Sequence, residues 1–423
     1  MPALPDGEPA PADGSLPNPD VSAGLAAYVH IPFCRVRCGY CDFNTYTNLD
    51  FGPGASVADF PDSLEREIAL SERVLTGVGE QPQLTSVFFG GGTPTMLATE
   101  QLVAVLERLD QAFGLVPGAE VTTEANPENV TRESLQRLRD GGFTRVSFGM
   151  QSAVPAVLQI LDRQHRPEQV PKAVAWAREV GLDVSVDLIY GAPGESDEQW
   201  RASVEAAIAM NPDHISAYAL TVEPGTKMGA QVRRGELSLP DPDEQADRYE
   251  IVDSLLEAAG YHWYEISNWA KPGHECQHNL MYWRRGDWWG YGPGAHSQIG
   301  GTRFWNVKHP LAYAQRLAGT QLADNSVAEG NELEAAGAVV VSPAAGREVL
   351  SESERAEEDI MLGIRLAEGI AVPRGVSPAV IAGFIADGLV EPAAALRGRL
   401  VLTLKGRLLA DTVTRKLWDA QEL

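Results

Sequence analysis

From residue 25 onward, short β-branched or aromatic runs alternate with stretches whose apolar residues recur at helical spacing, and the alternation repeats six times. The strand-like runs are Ala27–Ile31, Ser86–Phe89, Val121–Glu124, Arg145–Gly149, Val184–Tyr190 and His214–Leu220. Between them, Leu64, Ile68 and Leu75, then Leu102, Val105 and Leu106, then Leu135 and Leu138, each mark one face of a helix. Regular alternation predicts parallel strands joined by helical crossovers, because a parallel pair needs a long return path. Six units predict an α/β fold built as a partial barrel, (β/α)6, rather than the full eight. An open doubly wound sheet satisfies the same periodicity.

The rhythm defines the rest of the chain by its absence. Residues 1–24 are mostly Pro, Ala, Gly and Asp, with too little apolar side chain to offset the entropy of ordering them, and read as a disordered acidic tail. The barrel is expected over 25–235. An extension follows over 236–320: a helix at Asp243–Ala259, a strand-like Tyr261–Ile266, then a segment rich in Trp, Gly and His. Residues 321–350 lack any period and read as a mobile insertion. In 351–423, two helical patterns precede a strand at Arg399–Leu404 and a final helix from Lys405, which predicts a small winged-helix-like α/β domain.

Charge narrows the function. Thirty-four basic residues against 58 acidic ones give a net charge of −24 over 423 residues. Such a surface repels phosphate backbones, so no nucleic-acid partner is expected. No apolar run reaches membrane-spanning length, and the N-terminus lacks the basic-then-apolar pattern of a secretory leader. Three of the four cysteines fall within eight residues, which reads as a metal site in a reducing, cytosolic setting rather than a disulfide framework.

In parallel β/α barrels, chemistry collects where strands end. Strand one runs into Cys34, Cys38 and Cys41. Strand two ends in Gly90–Gly91–Gly92, strand three in Glu124, strand four in Gln151. Strand five carries Asp187 within an apolar run, and strand six carries Tyr218. The Cys34-x3-Cys38-x2-Cys41 spacing lets three thiolates converge on one iron–sulfur cluster, with one iron open to a small ligand. A zinc site would favour paired cysteines or Cys/His sets. Glycines at Gly90 and Gly91 let a ligand lie against the strand end where a Cβ would intrude. Glu124, Gln151 and Asp187 suit ribose hydroxyls or an amino group, and Arg163 suits a carboxylate.

The string Tyr28-Val-His-Ile-Pro-Phe-Cys34-Arg-Val-Arg-Cys38-Gly-Tyr-Cys41 resembles the signature of radical S-adenosylmethionine (SAM) proteins. More narrowly, it is similar to the oxygen-independent coproporphyrinogen III oxidase family, with GGGTPT at Gly90–Thr95, EANP at Glu124–Pro127, DLIYGAP at Asp187–Pro193 and EPGT at Glu223–Thr226. The resemblance implies a radical SAM barrel and a [4Fe-4S] cluster whose open iron is chelated by SAM. It implies reductive cleavage of SAM to methionine and a 5′-deoxyadenosyl radical, with electrons from a flavodoxin-like donor. By the same carry-over, Tyr28, Tyr40, Gly90, Gly91, Glu124, Gln151, Arg163, Asp187 and Ala219 match SAM-contacting positions.

At one position the chain departs from the oxidases. They carry a further cysteine two residues after the third, where this chain has Phe43. It has instead an HNxxYW motif at His278, Asn279, Tyr282 and Trp283, with YEISNW at Tyr264–Trp269, and resembles the HemW-like branch regarded as heme chaperones. The expected partners are then heme, SAM, an electron donor and an unspecified heme-acceptor protein, with the protein in the cytoplasm or at the membrane periphery. Residues 274–296 suit a heme surface: His274, His278 and His296 are candidate axial ligands, Cys276 a candidate thiolate, and Tyr282, Trp283, Trp288 and Trp289 offer flat apolar area. His278 is favoured because it lies in the motif. Gly290–Gly294 reads equally as a ligand cradle or a turn. The alternative function is oxidative decarboxylation of coproporphyrinogen III.

Overall fold

The computed structural model describes residues 5–76, 82–319 and 341–421. In chain order its strands are β1 (Leu25–Ile31), β2 (Leu84–Gly91), β3 (Leu115–Ala125), β4 (Arg145–Gln151), β5 (Asp183–Tyr190) and β6 (His214–Ala219). Next come β7 (His262–Glu265), β8 (Asn268–Ala270), β9 (Asp287–Tyr291), β10 (His296–Ile299), β11 (Thr302–Asn306) and β12 (Ala344–Val349). Two short strands, β13 (Ile370–Ala371) and β14 (Arg399–Leu400), lie near the C-terminus. The chain divides into two compact units. The first holds Met1–Val146, Val180–Leu182 and Gly286–Val349; the second holds Ser147–Glu179, Asp183–Arg285 and Leu350–Leu423.

In the first unit the strand order is β12-β11-β10-β9-β1-β2-β3. β1 runs parallel to both β2 and β9, whereas β10, β11 and β12 continue the sheet antiparallel. The helices Phe60–Leu75 and Thr99–Phe113 bury the faces that the sequence marks, Leu64, Ile68 and Leu75 on one and Leu102, Val105 and Leu106 on the other. β1 is buried at every position except Tyr28, as a central parallel strand covered on both faces must be. Glu67 is the exception among its apolar neighbours. It is fully buried and accepts from the Gly292 amide (2.8 Å), the Asn306 side chain (2.7 Å) and the Tyr313 hydroxyl (2.5 Å). That carboxylate fastens the returning segment after β9 to the first helix.

In the second unit β5 and β6 are parallel, and β8 and β7 extend them antiparallel. Each of β1 to β6 is followed by a helix, which is the six-fold repeat read from the sequence. The block after residue 350 has its own core of Ile360, Ile364, Phe384, Val390, Leu400, Val413 and Leu417. Arg407 ties it to the helix Pro242–Ala258 by a two-pronged pair with Asp253 (2.8 and 2.9 Å), stacked over Trp263. The strand expected over Arg399–Leu404 is only Arg399–Leu400, because Thr403 caps the next helix by accepting from the Gly406 amide.

Two expectations change. The described part of residues 1–24 is held in place: Glu8 exchanges backbone hydrogen bonds with Arg347 (2.9 and 2.8 Å), Ala12 accepts from Ser342, and Val21 is buried. Composition missed this because backbone hydrogen bonds and the Glu8–Arg347 ion pair (2.7 Å), more than a run of apolar side chains, hold the strap. Of the predicted mobile insertion, residues 321–340 lie outside the described residues, while Ala344–Val349 forms β12. No helix among the described residues is long and apolar enough to cross a membrane.

Candidate cluster and cofactor site

β1 delivers its end directly into the cysteine loop. The chain reverses after Cys34, and Tyr46 returns beside Phe33, donating to the Pro32 carbonyl (2.7 Å) while its own carbonyl accepts from Cys34 (2.9 Å). The loop is thus closed at its base. Inside it, Cys41 N–H reaches the Cys38 carbonyl (3.2 Å), and the Arg37 guanidinium donates to the Cys41 carbonyl (3.2 Å). None of the three is in a disulfide; Cys34 is buried and Cys38 and Cys41 are half-buried. Burial pushes the Cys34 thiol up to about 11 and raises that of Cys41. Cys34 and Cys41 therefore hold their protons at neutral pH, and loading a cluster would release them.

Among the described residues, Asp183, Asp213 and His274 bring their ligand atoms within 4.8 Å of one another. The loop from Cys34 to Cys41 differs in kind: three cysteines and no histidine on one short segment suit an iron–sulfur cluster with one iron open, where a zinc site would favour paired cysteines or Cys/His sets. β2 leaves the matching space: a Cβ on Gly92 would stand 3.0 Å from Cys34 Sγ and 2.6 Å from the Phe33 carbonyl oxygen. Gly92→Ala must displace the backbone at the base of the cysteine loop and is expected to lose most cluster loading, measured as iron and sulfide bound per chain after anaerobic reconstitution.

Four of the predicted SAM positions meet at the ends of β1, β2 and β3. A Cβ on Gly90 would lie 3.2 Å from both Glu124 Oε2 and the Tyr28 ring, and Gly91 N–H donates to Glu124 Oε2 (3.2 Å). Gly91 has φ +107°, and a side chain there would strike the His30 ring. Tyr40 is half-buried on the cysteine loop. His30 was not singled out in the sequence. Its Nε2–H donates to the Asn44 carbonyl (3.0 Å), so Nδ1 accepts from the Tyr28 hydroxyl (3.0 Å). Burial lowers its pKa to about 4, which keeps the ring neutral. The signal available was the i, i+2 spacing of Tyr28 and His30, which puts both on one strand face.

In the second unit Asp187 is locked. Its two oxygens accept from the Ser147 hydroxyl (2.7 Å) and the Ser216 hydroxyl (2.8 Å), and burial raises its pKa against the pull of Arg163. Arg163 donates to the Gly149 carbonyl (3.1 Å). Gln151 closes β4 at φ +63°, a left-handed geometry that costs a non-glycine residue energy and that collects at ligand sites. Ala219 ends β6 opposite Tyr190.

The HNxxYW residues lie on the helix Gln277–Trp283, also in the second unit. Asn279 donates to Glu265 Oε1 (2.7 Å), stitching that helix to the β7–β8 turn. His278 does not face solvent as a heme ligand at a surface would. It is buried, its Nε2 bonds the Tyr282 hydroxyl (2.9 Å), and burial drives its pKa to about 3. Tyr282 and Trp283 are half-buried. His274 pairs with Asp183 (3.1 Å), and Cys276 is buried. The Gly290–Gly294 loop cradles its own chain: a Cβ on Gly292 would meet the His30 carbonyl oxygen, and one on Gly294 the Asn44 side chain.

A family model described as the Radical SAM superfamily matches residues 28–207. The chain is 46% identical over 413 residues to a protein of Mycobacterium tuberculosis named heme chaperone HemW, covering 97% of this chain and 98% of that one. The chain belongs to the HemW family. A HemW of Bacillus subtilis is 35% identical over 404 residues, covering 92% of this chain and 97% of that one. Among solved structures, the radical SAM enzyme coproporphyrinogen III oxidase (HemN) of Escherichia coli superposes with a TM-score of 0.75 at 23% identity, over 93% of this chain and 90% of that one. That likeness carries the fold: a six-unit α/β radical SAM architecture with extensions. Membership of the Radical SAM superfamily brings SAM and a [4Fe-4S] cluster as the cofactor class of this HemW-family chain.

Proposed function

We propose that this chain is a heme chaperone, which binds heme while holding a SAM-ligated [4Fe-4S] cluster and passes the heme to an acceptor protein. The observation that carries the reading is its near full-length identity with proteins named heme chaperone HemW. The residue at the branch point supports it: where the oxidases have a further cysteine, this chain has Phe43, 59% exposed.

Cys34, Cys38 and Cys41 would ligate three irons. Tyr28, Tyr40, Gly90, Gly91, Glu124, Gln151, Arg163, Asp187 and Ala219 would hold SAM. When bound, the cluster supplies an anchoring iron and an electron to SAM. The protein's own contribution is positional. Glu124 is set by the Gly91 amide, Tyr28 by neutral His30, and Asp187 by two serine hydroxyls. The electron would come from a flavodoxin-like donor, and the acceptor is a hemoprotein met in the cytoplasm or at the membrane periphery. The HNxxYW helix, sewn to Glu265, serves to position its surroundings rather than to offer His278 outward.

Titrating ferric heme into anaerobically reconstituted, cluster-loaded protein is expected to give saturable binding of one heme per chain. Absence of saturable binding to that sample would overturn the proposal. The HemN-like fold favours a second reading, oxidative decarboxylation of coproporphyrinogen III. Incubating the same sample with reductant, SAM and coproporphyrinogen tests it, and the chaperone reading expects no protoporphyrinogen IX.

A further inference from the structure

We propose that His296 is the axial ligand of the heme iron, on a face of the first unit where buried Trp305 backs the imidazole and Trp288, Arg303 and Lys308 lie beside it. The inference rests on the heme-binding reading above and assigns the residue that performs it.

Ligation needs an imidazole nitrogen with a free lone pair that heme can reach. All eight histidines fall among the described residues, and most fail this requirement. His30, His165, His214 and His278 are buried, and each has Nε2 in a hydrogen bond. His274 gives Nδ1 to Asp183, which leaves Nε2 able to ligate, but the ring sits in an acidic cluster with Asp183 and Asp213 that repels a dianionic porphyrin. His309 is exposed, but its Nδ1 caps a helix by accepting from the Leu311 amide, which leaves the proton on Nε2. His262 is exposed on β7 and makes no ring contact among the described residues.

His296 shares its exposure with His262 and differs from it in having aromatic rings and cations beside it. It is exposed at the start of β10, and no hydrogen bond among the described residues engages its ring. Trp305 is its partner across β10 and β11, and the two rings lie 6.0 Å apart at 31°. The Trp288 indole donates to the His296 carbonyl (2.9 Å) and adds flat apolar area at its side. A porphyrin needs such a surface, because it has an apolar plane with two carboxylates at one edge. Arg303 and Lys308 lie near enough for their charge to reach the His296 ring, as does that of Glu348, which is paired with Arg303 (3.3 Å). On a chain of net charge −24, local cations are what admit a dianionic ligand. Partial burial and these same cations hold the His296 pKa below its ordinary value, so the ring is neutral and its lone pair available at pH 7. His296 is also close enough to weigh on His30, which bonds Tyr28 at the cluster end of β1. Heme bound there would lie beside the strand that carries the cysteine loop.

The test is ferric-heme titration of the full, cluster-loaded chain as wild type, His296→Ala, His296→Met and His278→Ala, read by absorption and resonance Raman. The wild type should show histidine ligation. His296→Ala should bind about tenfold more weakly or worse, lose the histidine signature, and recover it when imidazole is added. His296→Met should bind with a spectrum shifted to thioether ligation, and His278→Ala should bind as the wild type does. Unchanged affinity and spectrum in folded His296→Ala would overturn the assignment while leaving heme binding intact. Failure of the wild type to bind heme would instead remove the reading beneath it.

Discussion

Cys38→Ala is expected to abolish cluster loading, with bound iron falling from about four per chain to background after anaerobic reconstitution. Three thiolates on one loop are the minimum that leaves a single iron open. Removing one leaves two thiolates, one fewer than a cluster with a single open iron needs. Among the described residues, Thr45 and Thr93 contact cysteine sulfurs, at 3.9 and 3.7 Å, and neither hydroxyl replaces a thiolate. Cys276→Ala serves as the contrast. Cys276 stands at the N-terminal end of the helix Gln277–Trp283 in the second unit, and its loss should leave iron content unchanged. Equal loading of the Cys38 and Cys276 variants would contradict the assignment of ligands.

Glu67→Ala should lower stability by about 3 to 5 kcal/mol, read as a drop in the chemical denaturation midpoint. It strands the Gly292 amide, the Asn306 amide group and the Tyr313 hydroxyl, and each unsatisfied buried donor costs about 1–3 kcal/mol, partly relieved by relaxation. The same residue gives a pH dependence with a definite sign. Burial raises its carboxyl from 4.5 to about 7, so the folded state binds the proton more tightly than the unfolded chain. Its contribution is fully present below about pH 4.5 and is lost as pH rises through about 7. Glu67→Gln does not titrate and should flatten that part of the stability profile. A variant that keeps the wild-type slope would show that another group is responsible.

The six strand–helix repeats were legible because parallel strands buried on both faces write apolar runs. All six predicted strands occur, and their ends moved by only a few residues, except that β3 begins at Leu115 instead of Val121. The cysteine loop was legible because its ligands are local in sequence. His30, Glu67 and Asn44 were not, since each matters through a partner far along the chain: Glu67 through Asn306, and Asn44 through the Pro293 carbonyl. The N-terminal strap escaped because it is held by backbone hydrogen bonds that any composition permits. The HNxxYW motif was found, but its letters could not reveal that His278 turns inward to Tyr282 while His296, outside the motif, stays exposed.

The most direct test of the chaperone reading is handover. Heme-loaded, cluster-containing protein is mixed with an excess of an apo-hemoprotein, and the donor and acceptor spectra are followed together. The account predicts that donor-bound heme decays as acceptor-bound heme grows in equal amount, at a rate that rises with acceptor concentration. Heme that stays on the chain indefinitely, or a rate independent of acceptor because heme merely dissociates first, would contradict it.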